Sequence, residues 1–223
     1  MIQIFLDYSD ILVDGFFVTL YMTFLSTAIS YLLGLPLGVL LTVTGKNGIA
    51  ESPKIYTFLN WCVNIGRSVP FVILIMALTP FARLVAGKSI GPNAAIVSLV
   101  IGAVPFVARL IEGHLTEVDS GVVEAAVCMG ATKMQIICKV LLAEAFPSII
   151  RGISLTAITL IGYSAIAGTV GAGGLGDIAI RYGYHRGATD VMWVTLIILV
   201  IIVAVIQGIL GFTAQRIDKK NKT

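Results

Sequence analysis

Residues 152–177 read GISLTAITLIGYSAIAGTVGAGGLGD. The glycines near its end, Gly171, Gly173 and Gly176, fit the G-x-G-x-x-G spacing that cradles a dinucleotide pyrophosphate, and Asp190, nineteen residues after Gly171, stands about where a ribose-binding acid belongs. That fold requires a short buried strand before the glycines and a helix after them, inside a βαβ unit. Here the preceding residues, Gly152–Val170, form an uncharged apolar run, close to the roughly 20 residues that a helix needs to cross a bilayer's hydrocarbon core. The stretch therefore reads as a membrane helix with a small-residue end, not as a nucleotide-binding turn.

The same pattern extends outward in both directions. No Asp, Glu, Lys or Arg occurs in Gly15–Gly45, Ser89–Ala108 or Val191–Gln215, and Ile55–Ala82 contains only Arg67. Hydrophobic residues make up 57% of the chain and charged residues 12%, with a mean hydropathy of +0.98; soluble domains carry roughly 25% charged residues. The expectation is an all-α integral membrane protein, a single transmembrane domain over residues 1–223. Five spans are predicted, at about 15–43, 56–82, 90–110, 151–170 and 191–214. The start, MIQIFLDYSD, has neither a basic n-region nor a small-residue cleavage site, so the first span is expected to persist in the mature protein.

Other chemistry is sparse. Cys62, Cys128 and Cys138 form no CxxC pair and read as small apolar filler. His114 and His185 have no His or Cys neighbour at ligand spacing, and no metal is expected. Gly87-Lys88-Ser89 ends like a phosphate-binding loop, but Ala82 stands where its first Gly belongs. No His pair, acid pair or nucleophile constellation supports an enzyme or an oxidoreductase subunit.

An odd number of spans puts the termini on opposite sides, and Lys/Arg counts orient the chain. One set of segments holds ten basic residues: Lys46, Lys54, Arg109, Lys133, Lys139, Arg151, Arg216, Lys219, Lys220 and Lys222. The other holds four, Arg83, Lys88, Arg181 and Arg186, together with the acidic Asp7, Asp10 and Asp14 of the N-terminal segment. The N-terminus is thus expected outside and the C-terminus in the cytoplasm. The formal charge of +3 is a topology signal rather than an affinity for nucleic acid.

The only extended polar interruption is the predicted cytoplasmic loop at about 112–148, with EAAVCMGATKMQIICKVLLAEAFP at its centre. It reads as two helices with a sharp joint. The first runs from about Gly121 to Met129, Gly130 ends it in a left-handed conformation, and Thr132 with Gln135 makes a T-x-x-Q capping box for the second. In that second helix Ile137, Val140 and Leu141 share one face while Gln135 and Lys139 share another, and Pro147 marks its end. Such a segment suits either a membrane-surface linker or a partner's groove.

Glu124-Ala125-Ala126, Gly130 after three further residues, then Val140 and Leu142, resemble the EAA loop of bacterial ABC importer permeases; the family's usual Pro after that Leu is Ala143 here. GRSVPF at 66–71, GAVPFVARLIE at 102–112, MGATKMQI at 129–136 and GYSAIAGTVGAGGLGDIAIRYGY at 162–184 are similar to the permease subunit of methionine importers, over roughly residues 12 to 215. The resemblance implies the type I importer fold, a bacterial inner-membrane location and a homodimer. It also implies two ATPase subunits that bind ATP and Mg, and an extracytoplasmic binding lipoprotein that delivers methionine. It assigns Glu124, Ala125, Ala126, Gly130, Ala131 and Thr132 to ATPase coupling. An importer of another amino acid or small solute is the alternative.

Two sets of residues bear on transport. Ser164, Gly168, Ala172 and Gly176 recur every four residues along the predicted fourth helix, as Gly34 and Gly38 do on the first, and such stripes let another helix approach closely. They serve packing within a subunit or between two copies. Arg67 lies near mid-membrane, where a charge is costly and marks function, and Pro70 beside it frees the Gly66 carbonyl. Pro105 repeats the device in the third span. Arg67, Ser68, Pro70, Pro105, Tyr163 and Ser164 are candidates for the translocation path or gate; for Arg67 the alternative is a structural pair with a backbone carbonyl or Glu112.

Overall fold

A computed structural model describes residues 8–218. Asp7, Lys219, Lys220 and Lys222, used above for orientation, lie outside the described residues. The described chain contains helices and no strand. In order these are α1 (Ser9–Thr44), α2 (Pro53–Ser68), α3 (Phe71–Ala77), α4 (Thr79–Ala86), α5 (Pro92–Thr116), α6 (Ser120–Cys128), α7 (Lys133–Gln135), α8 (Leu142–Gly168), α9 (Gly174–Ile178) and α10 (Thr189–Ile217). Two π-helical stretches, Ile136–Leu141 and Ala179–Tyr184, follow α7 and α9. Among the described residues four helices, counting Lys133–Gly168 as one, are long and apolar enough to cross a bilayer; α2 and α3 together make a fifth only as a broken span.

That break falls at Pro70, within the span expected at about 56–82. Pro70 lacks an amide proton and disfavours helical geometry at Val69, so α2 ends at Ser68 and Pro70 is extended at φ −61°, ψ 129° before α3 begins. Pro147 corrects the reading of the loop. It does not end the second loop helix but lies inside α8, which continues without interruption from α7 through the π-helical stretch. The Ala143 that replaces the family's Pro leaves a backbone donor in this stretch, and the one bond lost at Pro147 is tolerated where both flanks are packed, as at the buried Ala145 and Ile149. The predicted loop is correspondingly shorter, because α5 persists to Thr116.

The chain divides into two compact units. The first gathers residues up to Ile29, Val69–Ala103 and Leu155–Gly208; the second gathers Ser30–Ser68, Val104–Ser154 and residues from Ile209 onward. In the first unit the glycine stripe of the fourth helix is not a stripe. α8 stops at Gly168, and Gly171, Gly173 and Gly174 take positive φ values of 82°, 81° and 81° to turn the chain back. α9 then packs on α8 so closely that a Cβ on Gly168 would fall 2.6 Å from the Gly176 carbonyl carbon, and one on Gly176 would fall 2.5 Å from the Ala165 oxygen. Gly174, Leu175 and Gly176 are buried, so GAGGLG is a packed reversal rather than a loose helix end. The Thr19 hydroxyl of α1 secures it by accepting from the Leu175 amide at 2.9 Å. Asp190 opens α10.

In the second unit α1 lies against α5. A Cβ on Gly34 would meet Val107 Cγ1 at 2.7 Å, and one on Gly38 would meet the Ala108 oxygen at 2.6 Å, so both glycines serve contacts inside the chain. The core of this unit joins Val43 of α1, Val107, Ile111 and Leu115 of α5, Ala126 of α6, Ile136 and Leu141 of the π-helical stretch, and Ala145 and Ile149 of α8. Cys62, Cys128 and Cys138 are exposed and fill no core, contrary to expectation. Among the described residues no group of His, Cys, Asp and Glu gathers as metal ligands.

Candidate functional site

The joint between α6 and α7 is built from local backbone chemistry. Asp119 caps α6, its carboxylate accepting from the Gly121 amide at 2.8 Å. At the other end Gly130 takes φ 79°; its amide donates to Val127 O at 2.9 Å and the Ala131 amide donates to Ala126 O at 3.0 Å. These are the two bonds of a Schellman cap, which satisfy carbonyls that the helix leaves open. Thr132 starts the next helix with a complete capping box: its hydroxyl accepts from the Gln135 amide, and the Gln135 side chain accepts from the Thr132 amide at 2.8 Å. Eight residues from Cys128 to Gln135 thus end one helix and start another with almost no unspecified backbone.

The side chains of this segment sort by face. Ala126 is buried and Ala131 half-buried against the unit's core, whereas Glu124, Ala125, Gly130 and Thr132 are exposed. Large apolar groups are exposed beside them, with Met129 at 81% and Met134 at 69%, together with Val122 and Val127. Glu124 is exposed and the backbone caps hold the joint.

Arg67 occupies the last turn of α2, just before the Val69–Pro70 break, and is exposed. It does not pair with Glu112. That acid receives the Arg109 guanidinium at 2.5 Å and the Tyr56 hydroxyl at 3.2 Å. Ser68 beside Arg67 is also exposed, and its hydroxyl donates to Asn64 O at 2.8 Å. Pro105 does not repeat the break at Pro70: α5 runs through it, and its ring sits where a Cβ on Gly66 would come within 2.6 Å, so it is a packing surface for α2. Tyr163 and Ser164 belong to the other unit. There Tyr163 stacks on Phe71 with ring centroids 4.4 Å apart, and the buried Ser164 hydroxyl donates to Ile161 O at 2.8 Å. Sequence reasoning missed the Arg109 network altogether. Its only local trace is the three-residue spacing of Arg109 and Glu112 and the four-residue spacing of Asn60 and Asn64, both of which place side chains together on a helix.

The profile of the family described as binding-protein-dependent transport system inner membrane component matches residues 34–220. The chain is 51% identical over 212 residues, covering 95% of this chain and 94% of its relative, to the probable D-methionine transport system permease protein MetI of Vibrio cholerae serotype O1. It is 46% identical over 181 residues, 81% of this chain and 82% of the other, to the methionine import system permease protein MetP of Bacillus subtilis. Its fold is similar to a chain in the inward-facing MetNI methionine ABC transporter, with a TM-score of 0.94 and 46% identity over 96% of this chain and 99% of that one. The chain belongs to the family of binding-protein-dependent transport system inner membrane components.

Proposed function

We propose that this chain is the membrane permease of an ATP-driven importer of methionine, taking both enantiomers. It is a transport subunit and not an enzyme; a separate ATPase binds ATP and Mg and performs the hydrolysis. Two copies would enclose the path, two ATPase subunits would dock on the cytoplasmic side, and an extracytoplasmic binding lipoprotein would deliver substrate. The observation that carries this reading is the rigid, fully capped joint around Gly130, with Glu124, Val127, Met129 and Met134 exposed on a short segment whose other face is embedded in the core. A stiff projection with an apolar outer face suits a groove on a partner, and its buried face passes force inward. Identity near one half to permeases named for methionine supports the substrate. The test is reconstitution with the ATPase and binding protein, followed by uptake of radiolabelled L- and D-methionine. Uptake that depends on ATP and is competed by methionine but not by histidine or alanine is the expected result.

The orientation proposed from charge places the N-terminus outside and the joint and C-terminus in the cytoplasm. A cytoplasm-active reporter fused after Thr223 is expected to be active, and a reporter active only outside is expected to work when fused near Tyr184. Both reporters active on the same side would overturn this orientation.

In this reading Arg67 lines the path, an exposed cation at the end of a broken span, where it can meet a substrate carboxylate. Ser68, Pro70, Pro105, Tyr163 and Ser164 remain the other candidates proposed for the path or gate. Arg67→Ala is expected to lower methionine uptake about ten-fold or more, the scale of a lost charged hydrogen bond, while dimer yield and ATPase binding stay unchanged. Equal losses of assembly and uptake would favour a structural role.

A further inference from the structure

We propose that Arg109 is a positioning residue that locks α2 to α5 and so carries motion of the joint segment to Arg67 and Ser68; this rests on the coupling role proposed above. Arg109 Nη2 donates to Asn60 Oδ1 at 2.6 Å and to Asn64 Oδ1 at 2.8 Å, while Nη1 donates to Glu112 Oε2 at 2.5 Å. Glu112, only 8% exposed, also accepts from the Tyr56 hydroxyl at 3.2 Å. One planar guanidinium thereby binds two residues a helical turn apart on α2, a task that suits a fork and not a point charge.

The two helices do not need this network in order to touch. Leu41, Val63 and Ala108 already form an apolar cluster with Leu37, Tyr56 and Leu59, and Gly66 admits the Pro105 ring. Apolar surfaces and a glycine contact permit sliding along the helix axis, because van der Waals packing is not directional; hydrogen bonds at fixed positions forbid it. Arg109 therefore adds register. Its helix is held on another side by the core that joins Val107, Ile111 and Leu115 to Ala126, Ile136 and Leu141 of the joint segment. A displacement of that segment reaches α5 through the core and α2 through the network. Arg67 lies eleven residues beyond Tyr56 on α2, about 16 Å along the axis, and the Ser68 hydroxyl is itself bonded to Asn64 O. All of these residues belong to one compact unit.

The experiment uses the reconstituted complex with Cys62, Cys128 and Cys138 replaced by Ser. Asn60→Leu/Asn64→Leu removes both contacts of Arg109 to α2 and leaves the Arg109–Glu112 pair and the Tyr56–Glu112 bond in place, so no buried acid loses its cation. ATPase copurification and basal hydrolysis are expected within about two-fold of the parent, while methionine transported per ATP falls about ten-fold. A second readout needs no substrate: the nucleotide-dependent change in thiosulfonate labelling of Ser68→Cys, present in the parent, is expected to vanish in the double variant. Arg109→Lys, which keeps the charge but loses the fork, is expected to fall between the two. If the double variant yields no complex, Asn64→Ala at its exposed position is read by the same two measurements. A labelling response and transport ratio that survive these substitutions would overturn the positioning role alone, as would a parallel fall in ATPase docking. Absence of any nucleotide response in the parent would overturn the coupling reading with it.

Discussion

Gly130→Val is expected to abolish ATP-driven uptake while leaving the spans inserted and the second copy bound. Gly130 holds φ 79°, a left-handed conformation that costs an L-residue about 1–2 kcal/mol, and a β-branched side chain is among the least tolerant of it. Space is not the obstacle, since nothing lies within 4 Å of where a Cβ would stand; the backbone is. Relief of the strain would break the Gly130–Val127 and Ala131–Ala126 bonds and turn the Thr132 capping box away from α6. The outer face formed by Glu124, Val127 and Met129 would then no longer match a rigid groove. Pull-down with the ATPase and uptake in the same preparation check this. Gly130→Asn is expected to recover much of both, because Asn occupies the left-handed region more readily. Full activity of the valine variant would sink the rigid-joint reading. Glu124→Arg is expected to leave the joint folded, since the backbone caps hold it, and to weaken docking alone.

The joint was legible in the sequence because its determinants are local. A glycine past the last turn and T-x-x-Q two residues later each act through backbone groups within one helical turn. The spans were legible from charge-free runs, for which the hydrocarbon core sets the length. Pro147 was not, although its chemistry is the same as that of Pro70. Pro70 ends a helix and Pro147 is carried inside one, and what separates them is the packing of the flanks, a tertiary property. The stripe at Ser164, Gly168, Ala172 and Gly176 failed for a related reason. A four-residue period places residues on one face only if the helix continues, and the positive φ of Gly171, Gly173 and Gly174 ends it. The Arg109 network joins residues 49 and 45 positions apart, a separation at which no period or motif reports contact.

The failed stripe leads to the second large effect: Gly168→Ala and Gly176→Ala are each expected to prevent recovery of a folded permease. Alanine is the mildest substitution available and ordinarily stabilises a helical glycine position by about 0.5–1 kcal/mol. Here the added methyl has no room. At Gly168 it would overlap the Asp177 amide nitrogen and lie 2.6 Å from the Gly176 carbonyl carbon; at Gly176 it would overlap the Ala165 Cα and lie 2.5 Å from its oxygen. The opposing atoms are backbone, so no rotamer change relieves the clash. α9 must lift from α8, and overpacking of this kind costs about 1–3 kcal/mol or more. Lifting α9 also pulls the Leu175 amide from the Thr19 hydroxyl, orphaning a buried donor at about 1–3 kcal/mol further. Losses of that size are a large fraction of the about 5–15 kcal/mol by which a domain is stable. Gly162→Ala on the same helix is the internal control, because a Cβ there meets nothing within 4 Å, and it is expected to be neutral or slightly stabilising. Monodisperse yield after detergent extraction and the thermal midpoint of the purified protein separate the cases. If all three alanine variants behave alike, α9 does not pack on α8 as described, and the reversal after Gly168 loses its structural basis.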